Sequence, residues 1–239
     1  ALLYIDHGAS LLSWMNASTD GIFHSQRYGY LVEINALWYN AHKFAAGIAG
    51  AAGETEVQKR WTERAELIKQ SFNEIFPDRE KGMLADFVSD QGRDFSVRPN
   101  QVIAAGLKHS PLLDIQTKEV LDICHQQLIT PRGLRSLSPQ DPMYKGRYQG
   151  DAMSRDAAYH NGTVWVWPLG FFAAAWKKVY GKSGMEPIKN IYKGFGDVMW
   201  EAGIGTVSEI YEGDPPHRAC GAISFAPSLG ELIRIDKML

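Results

Sequence analysis

The segment Glu54–Phe76, with the sequence ETEVQKRWTERAELIKQSFNEIF, decides the fold class. Its apolar side chains recur close to i, i+4, i+11, i+15 and i+18, so they line one face of an α-helix. These residues are Val57, Trp61, Ile68, Phe72 and Ile75. Pro77 ends the segment, because proline has no backbone N–H to continue a helix. The segment predicts a long amphipathic helix that packs one face against a core.

Six further segments, on both sides of Glu54–Phe76, also have sequences that favour helices. They are Leu31–Ala52, Pro99–Leu107, Asp114–Ile129, Gly162–Tyr180, Glu186–Glu201 and Pro227–Leu239. Only the short stretches Met83–Val88 and Thr206–Tyr211 indicate strands. We therefore predict an all-α fold with about seven helices.

Three long connections separate these helices, at residues 77–97, 130–161 and 203–226. Loops of this length are either functional or disordered. These contain Trp, Tyr and paired charges, which disordered loops usually lack. Because no repeat, linker or low-complexity stretch interrupts the chain, we expect residues 1–239 to form a single domain with long functional loops.

Composition excludes several classes of protein. The chain has 239 residues, 45% of them hydrophobic, and a net charge of −2, which does not suit a disordered chain or a general nucleic-acid binder. No run approaches the roughly 18 apolar residues of a membrane span, and no signal peptide opens the chain. The two cysteines favour reduced thiols in the cytoplasm. The chain starts without Met, so it is expected to be a processed product or a piece of a longer protein.

Cofactor motifs are absent from the sequence. The seven histidines form no HxxxH or HxH pair, and the cysteines form no CxxC. No GxSxG, P-loop or GxGxxG is present. We expect neither a metal ion nor another cofactor.

Carboxylates and aromatic rings are concentrated in or beside the long connections. The carboxylates are Glu33, Asp141, Asp151, Asp156, Glu209, Glu212 and Asp214. The rings could be platforms for sugars, which have apolar C–H faces, or core residues. Glu33 interrupts an apolar run, so it is either a functional carboxylate or one that bonds backbone N–H groups at a helix start.

Seven ordered segments resemble the glucosidase domain of glycogen debranching enzymes, chiefly those of prokaryotes and archaea. They are Ser13–Ala17, Val32–Asn40, Arg98–Gln101, Leu128–Leu137, Asp141–Tyr148, Arg155–Trp165 and Ser208–Asp214. The resemblance implies an (α/α)6 toroid with its active site in a funnel of loops. About seven predicted helices are fewer than the twelve of such a toroid, so we expect the C-terminal part of one. Its exposed inner faces would need a missing N-terminal segment or self-association.

The resemblance implies hydrolysis of α-1,6-linked glucose at branch points of glycogen or another α-glucan, with inversion and without metal. Two carboxyl groups perform such chemistry, one as acid and one as base. The family's base corresponds to Glu209, and its acid corresponds to Asn16, an amide that cannot replace a carboxylic acid. Asp20 is a possible substitute. The matched motifs imply substrate contacts at Trp14, Glu33, Arg98, Asn100, Gln101, Arg155, Asp156, His160, Trp165 and Asp214.

Three alternatives stay open. Arg155 and Asp156 could form a structural ion pair instead of contacting sugar. Since the acid is missing, the chain could be a catalytically impaired, glucan-binding homologue. It could also be a helical scaffold without a sugar site. Departures from the family at Val166–Pro168 and Phe225–Pro227, which flank the expected funnel, imply a different substrate fit.

Overall fold

The computed structural model describes residues 1–6 and 12–239. Its helices are α1 (Val32–Ala51), α2 (Thr55–Ile75), α3 (Asn100–Gly106), α4 (Asp114–Gln127), α5 (Ala152–Tyr159), α6 (Pro168–Tyr180), α7 (Glu186–Lys193), α8 (Phe195–Val198) and α9 (Ala226–Asp236). A 3-10 turn, Lys182–Gly184, joins α6 to α7. None of the helices in these two ranges has the length and apolar content to cross a membrane.

Short strands form small antiparallel sheets between the helices. They are β1 (Ser18–Thr19), β2 (Ile22–Phe23), β3 (Tyr30–Leu31), β4 (Pro77–Asp78), β5 (Met83–Leu84), β6 (Phe87–Ser89), β7 (Gly92–Asp94), β8 (Ile129–Thr130), β9 (Gly133–Arg135), β10 (Val164–Trp165), β11 (Ile210–Tyr211) and β12 (Ala219–Cys220). The fold is helix-rich, as predicted, and it contains more strands than the two predicted stretches, because backbone pairing between the long connections forms strands too short to show a period of two.

The largest of these sheets has the strand order β12-β11-β10-β9-β8. Its central strand, β10, pairs Val164 with Arg135 on one side and with Tyr211 on the other. Two of the predicted loops, 130–161 and 203–226, therefore meet in one sheet. This sheet fixes the segment that carries Glu209.

Helix α6 lies at the centre of the helical core and packs against α3, α4 and α9. Pro168 occupies its first turn, where the missing N–H costs no hydrogen bond, and Gly181 follows its last turn with φ +66°. The largest buried side chains of the core include Phe72, Phe76, Phe172 and Phe195. The predicted apolar face supplies Phe72, and Phe76 directly follows α2.

Three predicted boundaries need correction. The segment Gly162–Tyr180 is helical only from Pro168, because Val164 and Trp165 belong to the sheet. The segment Glu186–Glu201 divides at Gly194 into α7 and α8. The connection 130–161 contains α5, whose first turn is capped by Asp151 through the Ser154 N–H at 2.8 Å.

Candidate active site

Glu209 is held in place by two hydrogen bonds to its carboxylate. The hydroxyl of Tyr159 donates to Oε1 at 2.6 Å, and the backbone N–H of Ala222 donates to Oε2 at 3.0 Å. The backbone N–H of Glu209 also donates to the Ala222 carbonyl at 2.8 Å, which extends the pairing of β11 with β12. The side chain is half-buried. The carboxylate is therefore fixed in direction while part of it faces solvent.

The sequence places Tyr159 among the aromatic rings of the long connections but does not predict it as a partner of Glu209. It ends α5, and its ring lies 5.0 Å from the ring of Trp165 between centroids. Burial and the neighbouring Glu209 carboxylate raise the pKa of Tyr159, so its phenol stays protonated and donates. The available signal was its place directly before His160 in a matched motif.

Aromatic rings form one cluster beside this carboxylate. The ring of Trp14 meets those of His160, Trp165 and Trp167 edge-on at 5.2, 5.3 and 5.0 Å. Trp165 is buried, whereas Trp14 and Trp167 are half-exposed. Trp165 is therefore a core ring, whereas the indoles of Trp14 and Trp167 are partly open to solvent.

His160 lies beneath these rings with 1% of its surface exposed. It stacks on Trp165 at 5.3 Å, and neither ring nitrogen has a hydrogen-bond partner within the described residues. Burial, together with the positive charges of Arg98 and Arg27, lowers the pKa of His160 to about 3. The ring is therefore neutral, and its two nitrogens are polar atoms available within the cluster.

Asn16 is exposed and lies between Trp14 and β1. The β1 residue Thr19 donates through its hydroxyl to Asp156 of α5 at 2.6 Å. Asp156 and Tyr159 are three residues apart and share a face of α5, so the segment that carries Asn16 and the Glu209 carboxylate are attached to the same helix face. Asp20 is also exposed, and its φ of +50° places it in the turn between β1 and β2.

Glu33 belongs to a buried ionic cluster. Both of its oxygens accept from Arg27, at 2.6 and 2.7 Å, and the same guanidinium donates to Asp86 at 2.5 Å. Burial lowers the pKa of Arg27, but the Asp86 and Glu33 carboxylates reverse this effect and raise it. Glu33 has 1% of its surface exposed, and its partner is a side chain instead of backbone N–H groups.

The buried ionic cluster reaches the aromatic rings through Asn100. The amide of Asn100 donates to Asp86 at 2.7 Å, and its oxygen accepts from the indole N–H of Trp14 at 2.7 Å. Neither Arg27 nor Asp86 was predicted from the sequence, because partners 59 residues apart leave no local pattern. The buried ionic cluster therefore holds the Trp14 indole in place through Asn100.

Replacing Arg27 with Met should lower the free energy of unfolding by about 3–5 kcal/mol, because Glu33 and Asp86 would stay buried without their counter-ion. The exposed pair Lys118–Asp122 is the matched control, and Lys118→Gln should leave the free energy of unfolding nearly unchanged. Urea unfolding of both variants measures the difference. Equal losses would contradict the role given to this cluster.

Arg98 and Gln101 hold backbone segments around the site. Arg98 donates to the carbonyls of Ser136 and His160, at 3.2 and 2.6 Å, and burial lowers its pKa. The Gln101 side-chain oxygen accepts from the backbone N–H of Leu84 at 3.2 Å. Both side chains are buried and bond to the main chain of the protein.

The remaining predicted residues, Arg155, Asp156 and Asp214, are partly exposed. Arg155 donates to the Gly150 carbonyl at 2.6 Å, while Asp156 accepts from Thr19, so these two neighbours bond different partners. Asp214 accepts from the hydroxyl of Tyr144 at 2.9 Å. Burial raises the pKa of Tyr144 most, the Asp214 carboxylate raises it further, and together they bring it to about 12.

Two glycines mark a close crossing of backbones beside this region. A Cβ atom on Gly213 would overlap the carbonyl oxygen of Gly162, and one on Gly162 would overlap the carbonyl oxygen of Lys145. Gly162 also has a φ of +154°. The segments that hold His160 and Asp214 therefore touch through their main chains.

Within residues 1–6 and 12–239, no group of three or more His, Cys, Asp and Glu side chains is arranged to hold a metal ion. Both carboxylate oxygens of Glu209 instead bond to neutral donors. The arrangement suits proton transfer beside a cluster of rings.

Comparison with known proteins assigns this chain to a family. A family model described as amylo-alpha-1,6-glucosidase matches residues 1–234. The glycogen debranching enzyme of Saccharomyces cerevisiae is 25% identical over 221 residues, which cover 74% of this chain and 14% of the yeast protein.

Two solved structures from Thermus thermophilus share the fold. An uncharacterized conserved protein has a TM-score of 0.60 at 15% identity, over 87% of this chain and 46% of its own. A GH63 mannosylglycerate hydrolase, in complex with Tris, has a TM-score of 0.58 at 13% identity, over 87% and 45%. The chain thus spans a small part of the yeast relative and just under half of each solved structure.

Proposed function

The chain belongs to the amylo-alpha-1,6-glucosidase family, and on that premise we propose that it removes α-1,6-linked glucose from branch points of glycogen or another branched α-glucan. The observation that carries the proposal is the Glu209 carboxylate, fixed by two donors and half-exposed beside aromatic rings. The family relationship makes the chain a relative of glycoside hydrolases, and the branch-point linkage is our proposal.

In the proposed mechanism, Glu209 is the general base of an inverting reaction. Tyr159 and Ala222 each use one acceptor position of the carboxylate, which has about four, so positions are left for a water molecule. Glu209 takes a proton from that water as the water attacks the anomeric carbon. A group on the opposite face of the sugar, at about 6.5–9.5 Å, would have to protonate the leaving oxygen.

The position of that acid is occupied by Asn16, which favours a second candidate function. An amide has no acidic proton to give to a leaving oxygen. The chain would then be a glucan-binding homologue that keeps Glu209 and the rings but turns over slowly. Replacement of Asn16 by Asp distinguishes the two functions and is described in the Discussion.

Trp14, Trp167 and Tyr148 support a sugar as the ligand. Each is half-exposed near the Glu209–Tyr159 pair, and Tyr148 lies 6.0 Å from Tyr159 between ring centroids. Such rings offer flat apolar faces to the C–H groups of a sugar. The departure at Phe225 lies at the same cluster, 6.1 Å from Trp165, so it supports a substrate fit that differs from the family's.

Replacing Tyr159 with Phe should lower kcat for α-glucosyl fluoride by roughly ten- to a hundredfold and change KM little, because a hydrogen bond to a charged group would be lost. Tyr180→Phe is the control, since the Tyr180 hydroxyl donates to the exposed Asp122 at 3.4 Å. Initial rates over a range of fluoride concentrations separate kcat from KM. A change confined to KM would contradict a positioning role for Tyr159.

We also propose that the chain is the C-terminal part of an (α/α)6 toroid and works in the cytoplasm. Its match to just under half of each solved structure supports the first proposal, and the two free cysteines, Cys124 and Cys220, support the second. On α1, Leu37, Phe44 and Ile48 are exposed at i, i+7 and i+11, a stripe that a further segment or a second copy could cover.

A further inference from the structure

We propose that the pair of helices α1 and α2 carries a second binding site, for a small organic phosphate with a flat apolar body. The site is a cleft of about 350 Å³ lined by Trp38 and His42 of α1 and by Arg60, Trp61 and Arg64 of α2. This volume is at the lower end of the range for small-molecule sites, so it suits a single ring. The proposal goes beyond the hydrolase function and does not depend on it.

Three aromatic rings build the wall of the cleft. His42 lies between the two indoles, 4.1 Å from the ring of Trp38 and 5.0 Å from that of Trp61 between centroids. Both indoles are half-buried, so each keeps part of its surface in the cleft. Such a wall favours a flat or apolar ligand body.

His42 contributes an unpaired nitrogen to this wall. Its Nδ1 lies 2.9 Å from the Trp38 carbonyl, which can only accept, so Nδ1 carries a hydrogen and donates. Its Nε2 is buried, in a residue with 2% of its surface exposed, and has no partner among the described residues. A buried polar atom without a partner is costly, so Nε2 is available to a ligand.

Two guanidinium groups supply the positive charge. Arg60 and Arg64 are exposed on successive turns of α2, and neither has an ion pair or hydrogen bond in the described part of the chain. No carboxylate lines the cleft; Glu56 and Glu63 line a neighbouring one with Arg60. Because like charges four residues apart repel, an anion held between them would be stabilised.

These features together select a phosphate ester over a carboxylate. One guanidinium satisfies a carboxylate through two bonds, whereas a phosphate has three terminal oxygens to share between two guanidinium groups. The third oxygen, protonated in the monoanion of the ester, can donate to Nε2 of His42. Phenyl phosphate has both parts, a ring for the wall and a phosphate for the arginines.

Calorimetric titration with phenyl phosphate at about pH 6.5, where a phosphate ester is partly monoprotonated, tests the site. We expect a dissociation constant of about 1 mM or lower, and binding of inorganic phosphate and of benzyl alcohol at least roughly tenfold weaker. The double variant Arg60→Gln with Arg64→Gln should weaken binding by about tenfold or more. Lys59→Gln with Arg79→Gln removes the same charge from exposed positions outside the cleft and should leave the affinity unchanged.

His42→Phe separates binding from folding, because it keeps a ring between the two indoles. Binding should weaken while the melting temperature stays the same or rises, since an unpaired buried nitrogen is removed. The proposal is overturned if the natural protein binds no phenyl phosphate at about 10 mM, or if both double variants weaken binding equally. It is also overturned if maltose occupies the cleft and phenyl phosphate does not.

Discussion

Replacing Asn16 with Asp is expected to increase glucose release from a phosphorylase limit dextrin by about 10²–10⁴-fold, the usual contribution of a general acid. The change exchanges an amide for a carboxyl group of nearly the same shape at an exposed position. The segment that carries it is already attached, through Thr19 and Asp156, to the helix face that also holds Glu209. Only the proton donor therefore has to be supplied.

Alpha-glucosyl fluoride provides the matched substrate for this experiment. Fluoride leaves without being protonated, so the natural protein and the Asn16→Asp variant should hydrolyse it at similar rates. Asn16→Gln, which keeps the amide, should gain nothing on limit dextrin. If Asn16→Asp is inactive on both substrates while maltooligosaccharide still binds, the glucan-binding function replaces the hydrolase function.

Replacing Glu209 with Gln is expected to lower hydrolysis of α-glucosyl fluoride by about 10²–10⁴-fold, because an amide cannot take a proton from water. The same loss should appear on limit dextrin in the Asn16→Asp background. Glu201→Gln is the control, since Glu201 forms a partly exposed ion pair with Arg132. A rate unchanged by Glu209→Gln would show that another group is the base.

Azide gives this experiment a stereochemical result. In Glu209→Ala, azide is a nucleophile that needs no base, so it should restore the release of fluoride and form the β-glucosyl azide. Inversion at the anomeric carbon places the base and the leaving group on opposite faces of the sugar. An α-glucosyl azide, or no rescue in a variant that is still folded, would contradict the mechanism proposed for Glu209.

The sequence predicted the helices whose burial pattern is strongly periodic. The segment Glu54–Phe76 corresponds to α2 within one residue at each end, because its apolar face alone specifies the packing. Helix α5 was not predicted, since it has eight residues and depends on the Asp151 cap. The predicted strand Thr206–Tyr211 contains β11, whereas its two-residue partner β10 was not predicted, because no period appears in so short a stretch.

For the candidate site, the matched motifs were a good guide to which segments lie together. They were a poorer guide to which side chains are exposed. Glu33 and Arg98 come from matched motifs, yet both are buried against protein partners, Arg27 for Glu33 and the His160 carbonyl for Arg98. A motif shows that a residue type is needed but not whether it bonds a ligand or the protein. Tyr159 illustrates the opposite case, because its bond to Glu209 depends on the meeting of α5 with the β11–β12 hairpin.

The crossing of main chains at Gly162 and Gly213 has a consequence for how variation in this protein should be interpreted. Any side chain at Gly213 collides with the carbonyl oxygen of Gly162, and any side chain at Gly162 collides with that of Lys145. In a survey of all single substitutions, these glycines should be as intolerant as Glu209, although neither offers a group for chemistry. Intolerance at these two glycines would therefore reflect how closely the main chains approach each other. Intolerance at polar side chains would instead indicate which residues contact the sugar.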